Sequence, residues 1–188
     1  MLSFEYFAGL LLGLSLLLIW TASAGGQQLI LDNLVLDNVS ERIQLRFGIQ
    51  PEDVDLVQDS LEQGGGLRMQ CKVVLRRQRG WWPDSTVVAK ELSYDLKANP
   101  LLQTYTMRPG GSNSTVKDSD LQELLSRKCS QITMDLGPWK ELKAGSTYIL
   151  ELTLQFKQPD APQWLKNALF FWSWDVVSSQ TYRMHFTY

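Results

Sequence analysis

The sequence predicts a mainly β domain: two antiparallel sheets packed as a sandwich, immunoglobulin-like in the broad sense, with two or three short helices on the connections. Three observations carry this. Apolar and polar residues alternate strictly over several stretches, which is the period of strands with one buried face. Turn-forming residues punctuate those stretches. Helical periodicity is confined to a few short segments.

Leu29 to Val39 is the first strand candidate. In the next, Ile43, Leu45, Phe47 and Ile49 alternate with Arg42, Gln44, Arg46 and Gly48. Pro51 opens a helical segment in which Val54, Val57 and Leu61 share a face, ended by Gly64-Gly65-Gly66. Leu67, Met69, Cys71, Val73 and Leu75 then form an apolar row against Arg68, Gln70, Lys72, Val74 and Arg76. Extended to Arg79, that strand would reach about 43 Å at ~3.3 Å per residue, so a bulge or an earlier end is expected. Gly80-Trp81-Trp82-Pro83-Asp84-Ser85 reads as the turn of a hairpin leading into Thr86 to Asp95.

Leu101 to Arg108 is a further strand, and Pro109 to Lys117 a flexible connection suited to insertions. Ser119 with Gln122 three residues on resembles a capping box, ahead of a stripe of Leu121, Leu124 and Leu125. Tyr148, Leu150, Leu152, Leu154 and Phe156 alternate with polar neighbours. Trp164, Leu165, Ala168, Leu169 and Trp172 fit a helical period between Pro162 and Trp174. The closing strand sets Tyr182, Met184, Phe186 and Tyr188 on one face, with His185 opposite among polar residues.

Before all of this, Leu10 to Trp20 is an almost unbroken apolar run, followed by Thr21-Ala22-Ser23-Ala24. This reads as a secretory leader over 1–24 with cleavage after Ala24. Its start has no Lys or Arg and carries Glu5, a departure from the usual basic beginning. A retained membrane anchor is the alternative; it needs roughly 20 apolar residues, a length met only by including Glu5 and the small polar residues at the end of the run. The rest, 25–188, is expected to be one domain, exported to the periplasm or held at the inner membrane.

With Glu5 set aside, that part carries 18 basic and 19 acidic residues, net −1. Near-neutrality with mixed signs argues against a nucleic-acid partner. Cys71 and Cys129 are the only cysteines. In an oxidising compartment an even count invites a disulfide worth roughly 4 kcal/mol on the chain-entropy model; two separate buried thiols are the alternative.

Catalytic motifs are sparse. Neither GxSxG, HExxH, a P-loop nor a dinucleotide fingerprint is present. Ser114-Thr115-Val116-Lys117 fits S-x-x-K, but the chemistry of that motif needs a K-T-G element and a larger scaffold. Asp53/Asp55 and Asp118/Asp120 flank helix starts, where carboxylates meet the positive end of the dipole. No cofactor, metal ligand set or catalytic residue is therefore nominated.

Aromatics are in excess, with seven Trp, six Tyr and seven Phe. They concentrate at Trp81-Trp82 and from Trp164 to Trp174. Trp81, Trp82, Trp164, Phe171, Trp172 and Trp174 are the candidate binding surface, weighed against core packing, which large aromatics dominate in small domains. The reading is a non-enzymatic domain that binds a protein or envelope component through a sheet edge or these rings. A glycan-binding module using Trp81 and Trp82 is the alternative, and an undetected hydrolase the weakest of the three.

A basic strand running into Trp81-Trp82, then Leu92-Ser93-Tyr94-Asp95, Tyr105, and a closing Leu-Phe-Phe-Trp-Ser-Trp (169–174) with Tyr182 to Phe186, resembles a family of exported bacterial proteins known only as a domain of unknown function. The likeness runs from about Gln28 onward. It implies export and a Gram-negative envelope location, and it brings no catalytic or ligand residue with it.

Overall fold

The computed structural model describes residues 29–63, 66–157 and 177–188. The alternating rows fold as antiparallel strands in two sheets. One has three strands in the order β1 (Leu29–Val39), β2 (Arg42–Pro51), β7 (Ile132–Pro138). The other has six, in the order β6 (Val116–Asp118), β5 (Thr104–Pro109), β4 (Ser85–Asn99), β3 (Leu67–Arg77), β8 (Thr147–Lys157), β9 (Val177–Thr187). Helices α1 (Val54–Glu62) and α2 (Leu121–Cys129) and a 3-10 turn at Trp139–Glu141 lie on the connections. The expected sandwich class holds.

The inner rows meet between the sheets. Met69, Cys71, Val73 and Leu75 of β3, Tyr148, Leu150, Leu152, Leu154 and Phe156 of β8, and Ile43, Leu45, Phe47 and Ile49 of β2 are buried almost completely. At ~1.5–3 kcal/mol for each fully buried large side chain, this row-on-row contact is the dominant stabilising term. Tyr148 stacks on Phe186 with centroids 5.4 Å apart. Its hydroxyl accepts the Lys143 backbone N–H at 2.6 Å, so the largest side chain of the core leaves no polar atom stranded.

Register and caps explain the boundaries. β1 and β2 join through Ser40 and Glu41, both at positive φ (51° and 60°), the signature of a two-residue primed turn that matches strand twist. β3 stops at Arg77 and shifts register against β4 between Leu75 and Arg76, so the long strand has both a bulge and an early end. In α1, Asp53 caps by accepting from the N–H groups of Asp55 (3.0 Å) and Leu56 (3.3 Å), and Pro51 still belongs to β2. Gly48 permits a close approach: a Cβ there would lie 2.7 Å from the Ser130 carbonyl oxygen, where the chain leaves α2 for β7.

Several expectations need correction. α2 is capped by Asp120, which accepts from Glu123 N–H at 3.0 Å; Ser119 precedes the cap. Leu101 to Gln103 form a turn, and β5 starts at Thr104. The connection proposed for 109–117 ends in a short strand, β6, and β7 was not anticipated. Cys71 and Cys129, for which two alternatives were left open, are both buried with free thiols. Both are pushed up to about 12, Cys71 by burial and then by the nearby Cys129, and Cys129 by burial. The helix expected between Pro162 and Trp174, and the leader over 1–24, lie outside the described residues.

Candidate binding tip and outer sheet face

The β3–β4 hairpin carries Trp81 and Trp82. On the β8 side pairing extends one residue past β3, with Gln78 N–H donating to the Thr147 carbonyl at 2.9 Å. Asp84 Oδ1 then accepts Arg79 N–H at 3.3 Å and closes the base of the loop. Pro83 has no N–H to add to a ladder, so pairing resumes only at Ser85. Beyond the base the loop is open at Gly80, where a Cβ would meet no atom within 4 Å among the described residues.

Trp81 is 97% exposed and Trp82 75%. Leaving 150–250 Å² of ring in water forgoes about 4 kcal/mol or more per tryptophan at ~25 cal/mol per Å². For a domain whose whole stability is of order 5–15 kcal/mol, two such omissions are large. Core packing as the reason for this pair is thereby excluded. Arg77 and Arg79 flank the rings, and neither forms an ion pair among the described residues.

Lys157, which ends β8, pairs with Arg68, and Val177, which begins β9, pairs with Phe156. Both lie at the end of the sheet where β3 begins, while Trp81 and Trp82 leave from the Arg77 end. Trp164, Phe171, Trp172 and Trp174 themselves lie outside the described residues.

Between those two ends runs the outer face of the six-stranded sheet. Its polar row forms cross-strand clusters. Asp95 accepts from Arg68 Nε at 2.7 Å and Arg108 Nη2 at 3.2 Å. Glu151 accepts from Arg183 Nε at 2.9 Å and also from Arg76. Gln70 Nε2 donates to Glu91 at 2.5 Å, and Thr153 and Thr181 share a hydrogen bond at 3.1 Å. Arg68 in the first cluster, and Arg183 in the second, hold the carboxyls of Asp95 and Glu151 below the usual carboxylate range. His185 lies exposed on this face, as the alternation predicted.

Among the described residues, one pair of titratable side chains meets beside a cleft. A cleft of about 430 Å³ beside α1 is lined by Glu62, Tyr105, Ser119 and the β4–β5 turn. Tyr105 Oη donates to Glu62 Oε1 at 2.6 Å, and Gln58 Nε2 donates to the same oxygen at 2.9 Å. Burial and this carboxylate push the phenol up to about 12, while the Tyr105 hydrogen bond lowers the Glu62 carboxyl. An acid–base pair works best near the operating pH; here one partner stays ionised and the other protonated. The Ser114 hydroxyl pairs with Ser112 at 2.9 Å rather than with Lys117. Asp118 accepts from Asp120 N–H and from Arg127, a structural role at the start of α2. Among the described residues, no group of three or more His, Cys, Asp or Glu is placed to hold a metal ion. Nor is any described helix long and apolar enough to cross a membrane.

A family model described as a domain of unknown function (DUF4390) matches residues 26–185, and the chain belongs to that family. No curated protein and no solved structure matches it.

Proposed function

We propose that this member of the DUF4390 family is an exported, non-catalytic binding domain of the bacterial cell envelope. It engages a protein or another envelope component through the Trp81–Trp82 tip. The observation that carries the reading is the exposure of both rings, 97% and 75%, on a hairpin whose base is closed by the Asp84–Arg79 hydrogen bond. Paired large aromatics offer a partner much apolar area with few rotamers to freeze, the composition that dominates binding hot spots. The apolar run from Leu10 to Trp20 with Ala22-Ser23-Ala24 supports export. The last strand of the larger sheet, β9, offers a second route to a partner, by edge pairing.

The test is photo-cross-linking in intact cells with a benzoylphenylalanine at position 82. A discrete adduct, lost when the probe is moved to Thr133 on the three-stranded sheet, is the expected result. Adducts no different from that control would overturn the reading. The same rings favour a second reading, a glycan platform. It predicts a tryptophan-fluorescence titration with peptidoglycan fragments that Trp82→Ala abolishes, and a flat titration rejects it.

A further inference from the structure

The near-neutral composition conceals a segregation of charge. Side chains directly opposite one another on paired strands point to the same face, so the register fixes which charges share the outer face of the six-stranded sheet. Arg68, Arg76, Arg108 and Arg183 lie there around only two carboxylates, Asp95 and Glu151. Lys72 stands opposite Glu91, the third carboxylate. Lys97, Lys117 and Lys157 share the same face by register. Among the described residues that makes eight bases against three acids, on a chain whose total charge is −2. Arg68 and Lys97 take part in further interactions of their own; without them the face still holds six bases to three acids.

Apolar tips bracket this face at both ends. Trp81 and Trp82 stand at the β3–β4 turn. Leu101 (94% exposed) and Leu102 (65%) stand at the β4–β5 turn. The 15-residue strand β4 separates them by about 50 Å at ~3.3 Å per residue.

We propose that this outer face lies against an anionic lipid bilayer, with Trp81–Trp82 and Leu101–Leu102 entering the interfacial layer at its two ends. The proposal rests on the binding-domain reading and names the envelope component. Charge complementarity selects an anionic partner. The cations are spread over six strands rather than gathered in a pocket, which suits a partner presenting headgroups as a fluid two-dimensional array. Exposed Trp and Leu gain from an interfacial layer, as they would not from a nucleic-acid backbone. A polysaccharide would need rings on the face itself; among the described residues the register places there no aromatic ring other than the His185 imidazole.

The test is co-sedimentation of the full chain with vesicles of phosphatidylcholine alone or mixed with phosphatidylglycerol, at low and physiological salt. The quantity read is the ratio of anionic to neutral binding, because any contribution of the apolar run at Leu10–Trp20 is common to both lipids and all variants. Each cation near such a surface contributes about fivefold (~1 kcal/mol), so Lys72→Gln with Lys117→Gln is expected to lower the ratio at least ~tenfold. Trp81→Ala with Trp82→Ala weakens binding to both vesicles and leaves the ratio in place. A ratio near unity, or one that survives loss of the two lysines and added salt, overturns the proposal. If the ratio is unity while the position-82 cross-link persists, the binding-domain reading stands and the partner is an acidic protein. If both vanish, both fall.

Discussion

The two faces of β3 share one backbone and differ in everything else. Met69, Cys71, Val73 and Leu75 are sealed between the sheets, while Arg68, Gln70, Lys72 and Arg76 form a polar lattice on the outside. Because side chains alternate with period two, stability and surface chemistry are encoded on interleaved residues and can be altered independently. The inner row holds the fold. The outer row and the tip are available for recognition.

The sharpest contrast lies in reactivity. With thiols near 12 against an ordinary 9.0, Cys71 and Cys129 hold about a thousandfold less thiolate at neutral pH than open-chain cysteines do. Native alkylation monitored by mass spectrometry should therefore be slow until denaturant is added, after which both sites label. Prompt labelling of the folded chain would contradict the sealed inner face, and a disulfide-linked product would contradict the free pair.

Leu150→Ala removes a side chain with no solvent exposure and should cost about 3 kcal/mol (range 2–5), read as a lower urea midpoint at unchanged slope. Gly48→Ala forces a methyl group toward a backbone carbonyl that only moves with the α2–β7 junction; about 1–3 kcal/mol is expected, by the same measurement. On the outer face the scale drops. Glu151→Gln weakens contacts to Arg76 and Arg183, both more than one-third exposed, and should cost less than ~1 kcal/mol. Its signature is pH dependence. A carboxyl lowered in the folded state contributes stability that is fully present above its ordinary value of 4.5 and is lost as pH falls through its lower folded value. Unfolding free energies between neutral pH and pH 3 should fall less steeply for Glu151→Gln than for the parent chain, and equal slopes would remove Glu151 from the account.

The sandwich was legible because its long strands carry unbroken rows. Leu67–Arg77 and Thr147–Lys157 keep period two to within a residue of their ends, whereas in Leu29–Val39 the row changes phase at a register shift between Asp32 and Val35. β7 was missed although Ile132, Met134 and Leu136 alternate with Thr133 and Asp135, because Gly137-Pro138 and the preceding helical stripe mask so short a run. β6, with three residues, is too short for any period to register. The α2 cap was misplaced because Ser119 and Asp120 are both good caps, and only tertiary context, with Asp118 tied to Arg127, selects between them. The Trp81–Trp82 turn was readable as a motif, whereas its exposure was not: sequence cannot show whether another segment folds over a loop. The basic outer face was hidden for a related reason. Its charges are scattered from Arg68 to Arg183 and are gathered only by strand order. The Glu62–Tyr105 pair, 43 positions apart, was equally out of reach.

The division of labour between inner row and tip is tested most directly by equilibrium urea unfolding of the Trp81→Ala, Trp82→Ala double variant. Surface side chains without structural contacts change stability by no more than about 0.5 kcal/mol, so an unfolding free energy within that margin of the parent chain is predicted. A loss of about 3 kcal/mol or more, the scale of a buried tryptophan, would show that the rings hold the fold together and would contradict the account.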